Sequence, residues 1–164
     1  MLSIKPITSA ASAGQYYSAK DNYYLSDSQS LDEATRWYGQ GAQALNISGN
    51  VTPELFLQLL EGRMPSGQQL GKVGKNGEIE HRPATDITFS APKSVSLLAL
   101  VGGDKRLIEA HNLAVRDALD VIESMAAEAR ITIGGETTFE KTNNLVVALF
   151  QHTTSRELDP LLHD

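Results

Sequence analysis

Residues 145–164 read LVVALFQHTTSRELDPLLHD. The stretch opens with six apolar residues, Leu145 to Phe150, β-branched near their start. A run of that length and composition predicts a fully buried strand. His152 leaves the end of that strand, and His163 follows eleven residues later, after the apolar pair Leu161–Leu162. Asp159-Pro160 between them signals a turn. Two imidazoles at the edges of neighbouring strands can meet on one metal ion or one phosphate. Two separate hydrogen-bonded histidines are the plainer alternative, and local sequence alone favours it.

Working outward from this stretch, Arg130–Ile133 and Thr137–Lys141 read as strands around a Gly134-Gly135 hairpin turn. Asp104 starts the longest helix, running to about Ala127, with Leu107, Ile108, His111, Leu113, Ala114, Val115, Ala118, Leu119, Ile122 and Met125 as its apolar face. Pro92 opens a helix over Lys93–Val101 that Gly102-Gly103 ends, and Asp86–Phe89 is a strand before it. Met64–Pro83 is rich in Gly, Lys and Gln, with Asn76-Gly77 as a hairpin turn, and reads as an exposed, mobile excursion. Thr52-Pro53-Glu54 starts a helix whose buried face is Leu55, Phe56, Leu59 and Leu60, with Gly62 as its end. Ser30 and Glu33 form a capping box, predicting a helix through Ala34, Trp37 and Tyr38 that stops at Gly39 or Gly41. At the start, Leu2–Ile7 is a short strand ended by Pro6, and Ser9 or Ser12 caps a helix through the tyrosines that follow. Strand, helices, strand, helices and then a run of strands predict an α+β fold, a mainly antiparallel sheet with helices packed on it.

The chain has 164 residues, enough for one domain with a sizeable core, and no cysteine, which excludes disulfides and thiolate metal sites. No apolar run approaches the roughly 20 residues that span a bilayer, and the first residues are too short in apolar length for a signal peptide. A cytoplasmic protein is the resulting expectation. The net charge of −6 argues mildly against nucleic acid, but it is unevenly spread. Residues 61–106 carry seven basic side chains against five acidic, while 107–164 carry four against ten. An anion-binding surface therefore draws on the middle segment, with Lys72, Lys75, Arg82, Lys93, Lys105 and Arg106 as phosphate contacts, although a solvated face explains them equally well.

Four of the five tyrosines lie in two doublets, Tyr16-Tyr17 and Tyr23-Tyr24, seven residues apart. Seven residues is about two helical turns, so the doublets share a face if the helix continues through Asp21-Asn22. A phenol, with pKa ~10, is a poor nucleophile near neutral pH. Beside a metal it becomes useful, and the ester it forms conserves the energy of a broken phosphodiester. His152 and His163 supply imidazoles for such a metal. Asp86 supplies a carboxylate able to orient one of them, although local sequence alone favours a plain surface carboxylate. Ser90-Ala91-Pro92-Lys93-Ser94 opens a helix whose N-terminus and lysine attract phosphate. His81 reads as solvated, and His111 as a packed, hydrogen-bonded histidine of the long helix.

YY-x5-YY near the start, DITFSAPKSVSLLALVGGDKR in the middle and ALFQHTTSRELDPLLH at the end resemble the N-terminal relaxase domain of F-type conjugative plasmid transfer proteins, the TraI/TrwC-like relaxases of the HUH endonuclease superfamily. The likeness runs over the whole chain. It implies a five-stranded antiparallel sheet with flanking helices. It implies nicking of one DNA strand at a plasmid origin of transfer, bound as single-stranded DNA. Tyr16 then attacks the scissile phosphate and stays joined to the 5′ end, Tyr17 is its neighbour, and Tyr23 or Tyr24 serves a later cleavage. The resemblance further implies that three histidines hold one divalent ion, that Asp86 orients a ligating histidine, that other relaxosome proteins are partners, and that a helicase follows. The ion expected is Mg2+ or Mn2+, with Zn2+ and Ni2+ also suited to imidazole. A monomer is expected.

The family's last motif is His-x10-His-x-His. His152 and His163 match its first two positions, and the third falls one residue beyond Asp164. The relaxase domain also runs on well past this length. The chain is therefore expected to be the N-terminal part of such a domain, 1–164, without its remainder or the helicase, and to bind metal weakly and nick slowly or not at all. Two other readings compete. A rolling-circle replication initiator of the same superfamily usually places its histidines before its tyrosine, unlike this chain. A non-catalytic origin-binding fragment suits the short length but not the acidic total.

Overall fold

Alternation along the strands divides the molecule into two faces, because successive side chains of an extended chain point to opposite sides. The computed structural model describes residues 1–18, 35–74, 76–77, 79–155 and 157–164, and of residues 15–18 the backbone alone. In chain order the elements are β1 (Leu2–Ile7), α1 (Ala10–Ser18), β2 (Thr35–Tyr38), α2 (Gln40–Ala44), α3 (Pro53–Leu60), β3 (Lys72–Val73), β4 (Ile79–Glu80) and β5 (Ala84–Phe89). There follow α4 (Lys93–Ser96) with a π-helical continuation over Leu97–Val101, α5 (Lys105–Ala126), β6 (Glu128–Ile133), β7 (Glu136–Lys141), β8 (Val147–Phe150), β9 (His152–Thr154) and β10 (Pro160–His163). The fold is α+β. Its ladders, β1–β5, β2–β8, β3–β4, β6–β7 and β9–β10, are all antiparallel. Among the described residues they form five pairs rather than one continuous sheet, and a bridge from Ser90 to His163 ties the end of β5 to β10.

On one face, Trp37 of β2 packs with Ala13, Ala42, Ile47, Phe56 and Leu60, and Ala84, Ala148 and Phe150 join them. The rings of Phe56 and Phe150 meet edge to face at 5.2 Å. On the other face, Tyr38, Phe89, Val147 and Leu149 cover Val115 and Leu119 of α5. A third cluster joins Leu162 and Ala91 to Ala99 of the π-helical turn, with Leu107 and Ile108 of α5 beside it. Residues of odd and even number on each strand thus serve different neighbours.

Several sequence expectations give way here. Trp37 and Tyr38 lie on a strand, not a helix: Thr35–Tyr38 pairs residue for residue with Phe150–Val147. TRWY is β-branched and aromatic, and pairing across the chain outweighs a capping signal that begins five residues before it. The capping box itself, Ser30–Glu33, lies outside the described residues. Pro6 does not end β1, which continues to Ile7; its missing N–H is tolerated because β1 pairs with β5 alone among the described residues. Leu145–Phe150 is not fully buried. Leu149 is, while Val147, Ala148 and Phe150 are half-buried and Val146 is exposed. On α5, Leu113 and Met125 are exposed, because a helix against one sheet buries only a stripe.

The helix starts fare better. Ser9, not Ser12, caps α1, its Oγ accepting from Ser12 N at 3.2 Å. Pro53 stands at the first turn of α3, and Phe56 and Leu60 are its buried pair. Asp104 caps α5 by accepting from Arg106 N at 3.2 Å. Asn76-Gly77 turns the β3–β4 hairpin. Gly39 does not close a helix. It turns the chain after β2 at φ 96°, where a Cβ would sit 2.4 Å from Leu145 O. There Glu123 of α5, 7% exposed, accepts from the backbone N–H groups of Gln40 (2.9 Å) and Leu145 (2.6 Å). One buried carboxylate thereby joins the start of α2 and the approach to β8 to the long helix.

Candidate metal centre and active site

β9 and β10 form a hairpin in which His152 and His163 are direct cross-strand partners. Side chains of directly opposed residues lie close on one face, and the two imidazole rings stand 5.2 Å apart, tilted by 35°. Two imidazoles sharing an ion at about 2.1 Å each would put their ring centres roughly 5 Å apart. Both rings have intermediate burial and line a cleft of about 1000 Å³. Burial, and then the neighbouring imidazole of His163, push the pKa of His152 down to about 4, so it is uncharged at neutral pH. Metal ligation needs that neutral form. His163 Nδ1 lies 3.1 Å from Leu161 O. In the tautomer that donates to this carbonyl, Nε2 carries the lone pair, as in many metal sites. The donor set therefore fits a divalent transition ion. It is incomplete by itself: among the described residues no three His, Asp or Glu side chains gather closely enough to hold a metal.

Asp86 sits on β5 opposite Lys5, with the parity of Ala84, and lines the same cleft as the imidazoles. The structure brings Asp86, His152 and His163 to one cavity without joining them in one cluster. Tyr16 and Tyr17 lie in the last turns of α1, whose earlier residues Ser12 and Ala13 also line the cleft. Their side chains, and all of Tyr23 and Tyr24, lie outside the described residues.

His81 departs from expectation. It is half-buried, lines the cleft and packs against Gly62, where a Cβ would come within 3.0 Å of the ring. The basic residues are largely paired on the surface: Lys72 with Glu80 at 2.7 Å, Lys93 with Asp159 at 3.4 Å, Arg106 with Asp104 at 2.7 Å. Exposed pairs of this kind contribute about 0–1 kcal/mol, so they yield readily to a phosphate. Lys93 also donates to Pro160 O at 3.3 Å, which fastens the start of α4 to the hairpin that carries the imidazoles. Lys75 lies outside the described residues.

Sequence reasoning missed the polar groups behind the imidazoles. Gln151 and Asp164 flank the two histidines and meet α5 at His111 and Asn112. The only signal was a helix face in which His111, Asn112 and Arg116 interrupt apolar residues. His111 is packed as expected, but its Nε2 approaches Asp164 Oδ2 at 3.0 Å without the alignment of a hydrogen bond.

A profile of the TrwC relaxase family matches residues 10–164. The chain belongs to the TrwC relaxase family. It is 50% identical over 163 residues to the multifunctional conjugation protein TraI of Escherichia coli, a match spanning 99% of this chain and 9% of that protein. The chain thus spans about a tenth of the curated relatives it matches. Among solved structures it is similar to the metal-bound conjugative relaxase TrwC in complex with oriT DNA, at 42% identity and a TM-score of 0.81, covering 99% of this chain and 54% of that one. TrwC complexed with a 27-mer DNA of recognition hairpin and cleavage site matches at 39% identity and a TM-score of 0.79, covering 99% and 53%. Another TrwC–oriT complex is copper-bound, so relaxases of this fold accept metal. The α+β architecture of this chain is that of the TrwC relaxases.

Proposed function

We propose that this chain is the nucleophile- and metal-bearing part of a conjugative relaxase, which nicks one strand of plasmid DNA at an origin of transfer and keeps the 5′ end as a phosphotyrosyl ester. The observation that carries this reading is the facing imidazole pair of His152 and His163 in a chain of the TrwC relaxase family.

In this reading the cleft beside the hairpin takes single-stranded DNA, with Lys5 and residues of the middle segment as phosphate contacts. Tyr16 is the nucleophile. Its phenol loses a proton to the carboxylate of Asp86 as its oxygen bonds to the scissile phosphorus. The P–O3′ bond breaks, and the leaving 3′ oxygen takes a proton from water. The reverse attack by a free 3′ hydroxyl rejoins a strand without a nucleotide cofactor. Tyr17 is the neighbouring phenol, and Tyr23 or Tyr24 serves a second cleavage. His152 and His163 would hold a divalent ion, which would supply positive charge to neutralise the scissile phosphate. Imidazole suits Mn2+, Ni2+ or Zn2+, while Mg2+ needs added oxygen ligands such as phosphate. Action on plasmid DNA together with other relaxosome proteins suits a cytoplasmic monomer without cysteine. No described helix is long and apolar enough to cross a membrane.

The test is incubation with labelled origin single-stranded DNA and Mn2+, followed by denaturing electrophoresis. The wild-type chain is expected to give a covalent protein–DNA adduct at a slow rate, and Tyr16→Phe none while still binding DNA. An undiminished adduct from Tyr16→Phe would move the nucleophile to another tyrosine. No adduct from any variant or metal would leave DNA binding alone as the activity.

A further inference from the structure

The β9–β10 ladder is too short and too irregular to hold its own register. It contains two pairs, Thr154 with Pro160 and His152 with His163, and between them β10 carries one residue more than β9. That extra residue makes a bulge. Without it, Leu162 would stand opposite His152, and His163 would turn towards the helices. A one-residue slip exchanges the faces of every side chain that follows. Something other than this ladder must therefore select the register that brings the imidazoles together.

One side of β10 is held by the backbone. Asp164 N donates to Phe89 O at 3.0 Å, Phe89 N to Asp164 O at 2.8 Å, and Ala91 N to Leu162 O at 2.9 Å. Leu162 N donates to Ser96 Oγ at 3.1 Å, and both Leu162 and Ser96 are 0% exposed. The other connection is made by side chains. Gln151, just before His152, has two amide protons; one goes to Asn112 Oδ1 and the other to Asp164 Oδ2 at 3.3 Å. Asp164, just after His163, has a side chain only 1% exposed, with Oδ2 also 3.0 Å from His111 Nε2. The residue preceding one imidazole is thus joined to the residue following the other, and both rest on successive residues of α5.

We propose that Gln151, Asp164, His111 and Asn112 form a clamp behind the hairpin, and that this clamp sets the separation of His152 and His163 for metal binding. The four are positioning residues; none is a ligand. The proposal rests on the reading of His152 and His163 as metal ligands. Metal sites tolerate displacements of only about 0.5 Å, so a loosened clamp lowers affinity before it unfolds the chain. Asp164 is also an opposite charge near the half-buried Arg36, whose own pKa is lowered first by burial and then by Arg116. Removing that carboxylate would disturb more than the clamp, so the informative variants are at Gln151 and Asn112.

Ni2+ alone is titrated calorimetrically into the 164-residue chain, into Gln151→Leu and into Asn112→Ala. Tyr38→Phe serves as control, because Tyr38 donates at 2.7 Å to Asp120, about two turns beyond Asn112 on the same helix, and does not line the cleft. Both clamp variants are expected to raise the Ni2+ Kd about tenfold to a hundredfold. They are also expected to shift the imidazole NMR resonances of His152 and His163 in metal-free protein. Tyr38→Phe lowers the melting temperature and moves neither readout. Should Gln151→Leu unfold the chain, Asn112→Ala carries the comparison. Native Kd and native resonances in the clamp variants, or an equal loss in Tyr38→Phe, would overturn the clamp. His152→Ala separates the two levels: if it abolishes Ni2+ binding while the clamp variants bind as wild type, the clamp alone fails. If it leaves Ni2+ binding intact, the metal reading fails and takes the clamp with it.

Discussion

The hairpins β6–β7 and β9–β10 are opposites. β6–β7 is a regular ladder of six consecutive pairs, from Glu128 with Lys141 to Ile133 with Glu136. It leaves Ile133 77% and Phe139 66% exposed. β9–β10 has two pairs and a bulge, yet it carries the fully buried Leu162 and the facing imidazoles. Backbone regularity and anchorage are therefore separate properties in this chain. A regular ladder forms from local pairing and turn chemistry alone. An irregular one exists only where buried side chains and neighbouring strands impose it, and that imposition is what lets it hold two side chains at a set separation.

The sharpest way to break this contrast is at Leu162. Leu162→Ala should cost about 2–5 kcal/mol in denaturant unfolding, through lost burial and the cavity left against Ala91 and Ala99. It should also weaken Ni2+ binding. A loss under about 0.5 kcal/mol would mean that β10 is not anchored from below. Next in size is Glu123→Ala, which leaves the N–H groups of Gln40 and Leu145 without their buried acceptor. About 1–3 kcal/mol of stability should go, with no Ni2+ effect beyond that of Tyr38→Phe. An equal loss of Ni2+ affinity would show that β8 and the hairpin move as one.

Acid sharpens the contrast further. The pKa of His152 is about 4 in the folded chain against 6.5 as the ordinary value. The unfolded chain therefore binds the proton first, so this contribution to stability is present above about pH 6.5 and is lost as pH falls towards 4. Urea midpoints measured between pH 7.5 and 4.5 should fall less in His152→Gln than in wild type, and identical slopes would contradict the burial of that ring. The smallest effect belongs to the other hairpin. Phe139→Ser should change stability by no more than about 0.5 kcal/mol, because the ring is mostly in water already. A larger cost in thermal unfolding would show that Phe139 is covered in solution.

Much of this architecture was legible from local signals. Ser9, Pro53 and Asp104 start helices where capping chemistry says they should. Asn76-Gly77 and Gly134-Gly135 turn hairpins. The chain also turns between the two imidazoles, but at Glu157-Leu158 rather than at Asp159-Pro160, because Pro160 already opens β10 opposite Thr154. These signals act over a few residues, where backbone preference and side-chain hydrogen bonding decide the outcome. Thr35–Tyr38 was misread for the same reason. A capping box speaks for a helix locally, but the partner that makes TRWY a strand lies more than a hundred residues away in β8. On α5, apolar content alone did not say which side would meet the sheet, so Leu113 and Met125 were misplaced.

By itself, then, the sequence determined the α+β class, most element starts, the family, and the spacing that puts one imidazole on each strand of a hairpin. Only the tertiary structure decided which face those rings share, that Glu123 serves two distant N–H groups, and that Gln151 and Asp164 lean on α5 behind the imidazoles. The physical reason is range. Periodicity and capping are energies between neighbours in the chain. The pairing of buried polar groups 39 or 83 residues apart depends on which surfaces desolvate together, and that is settled only when the whole core closes.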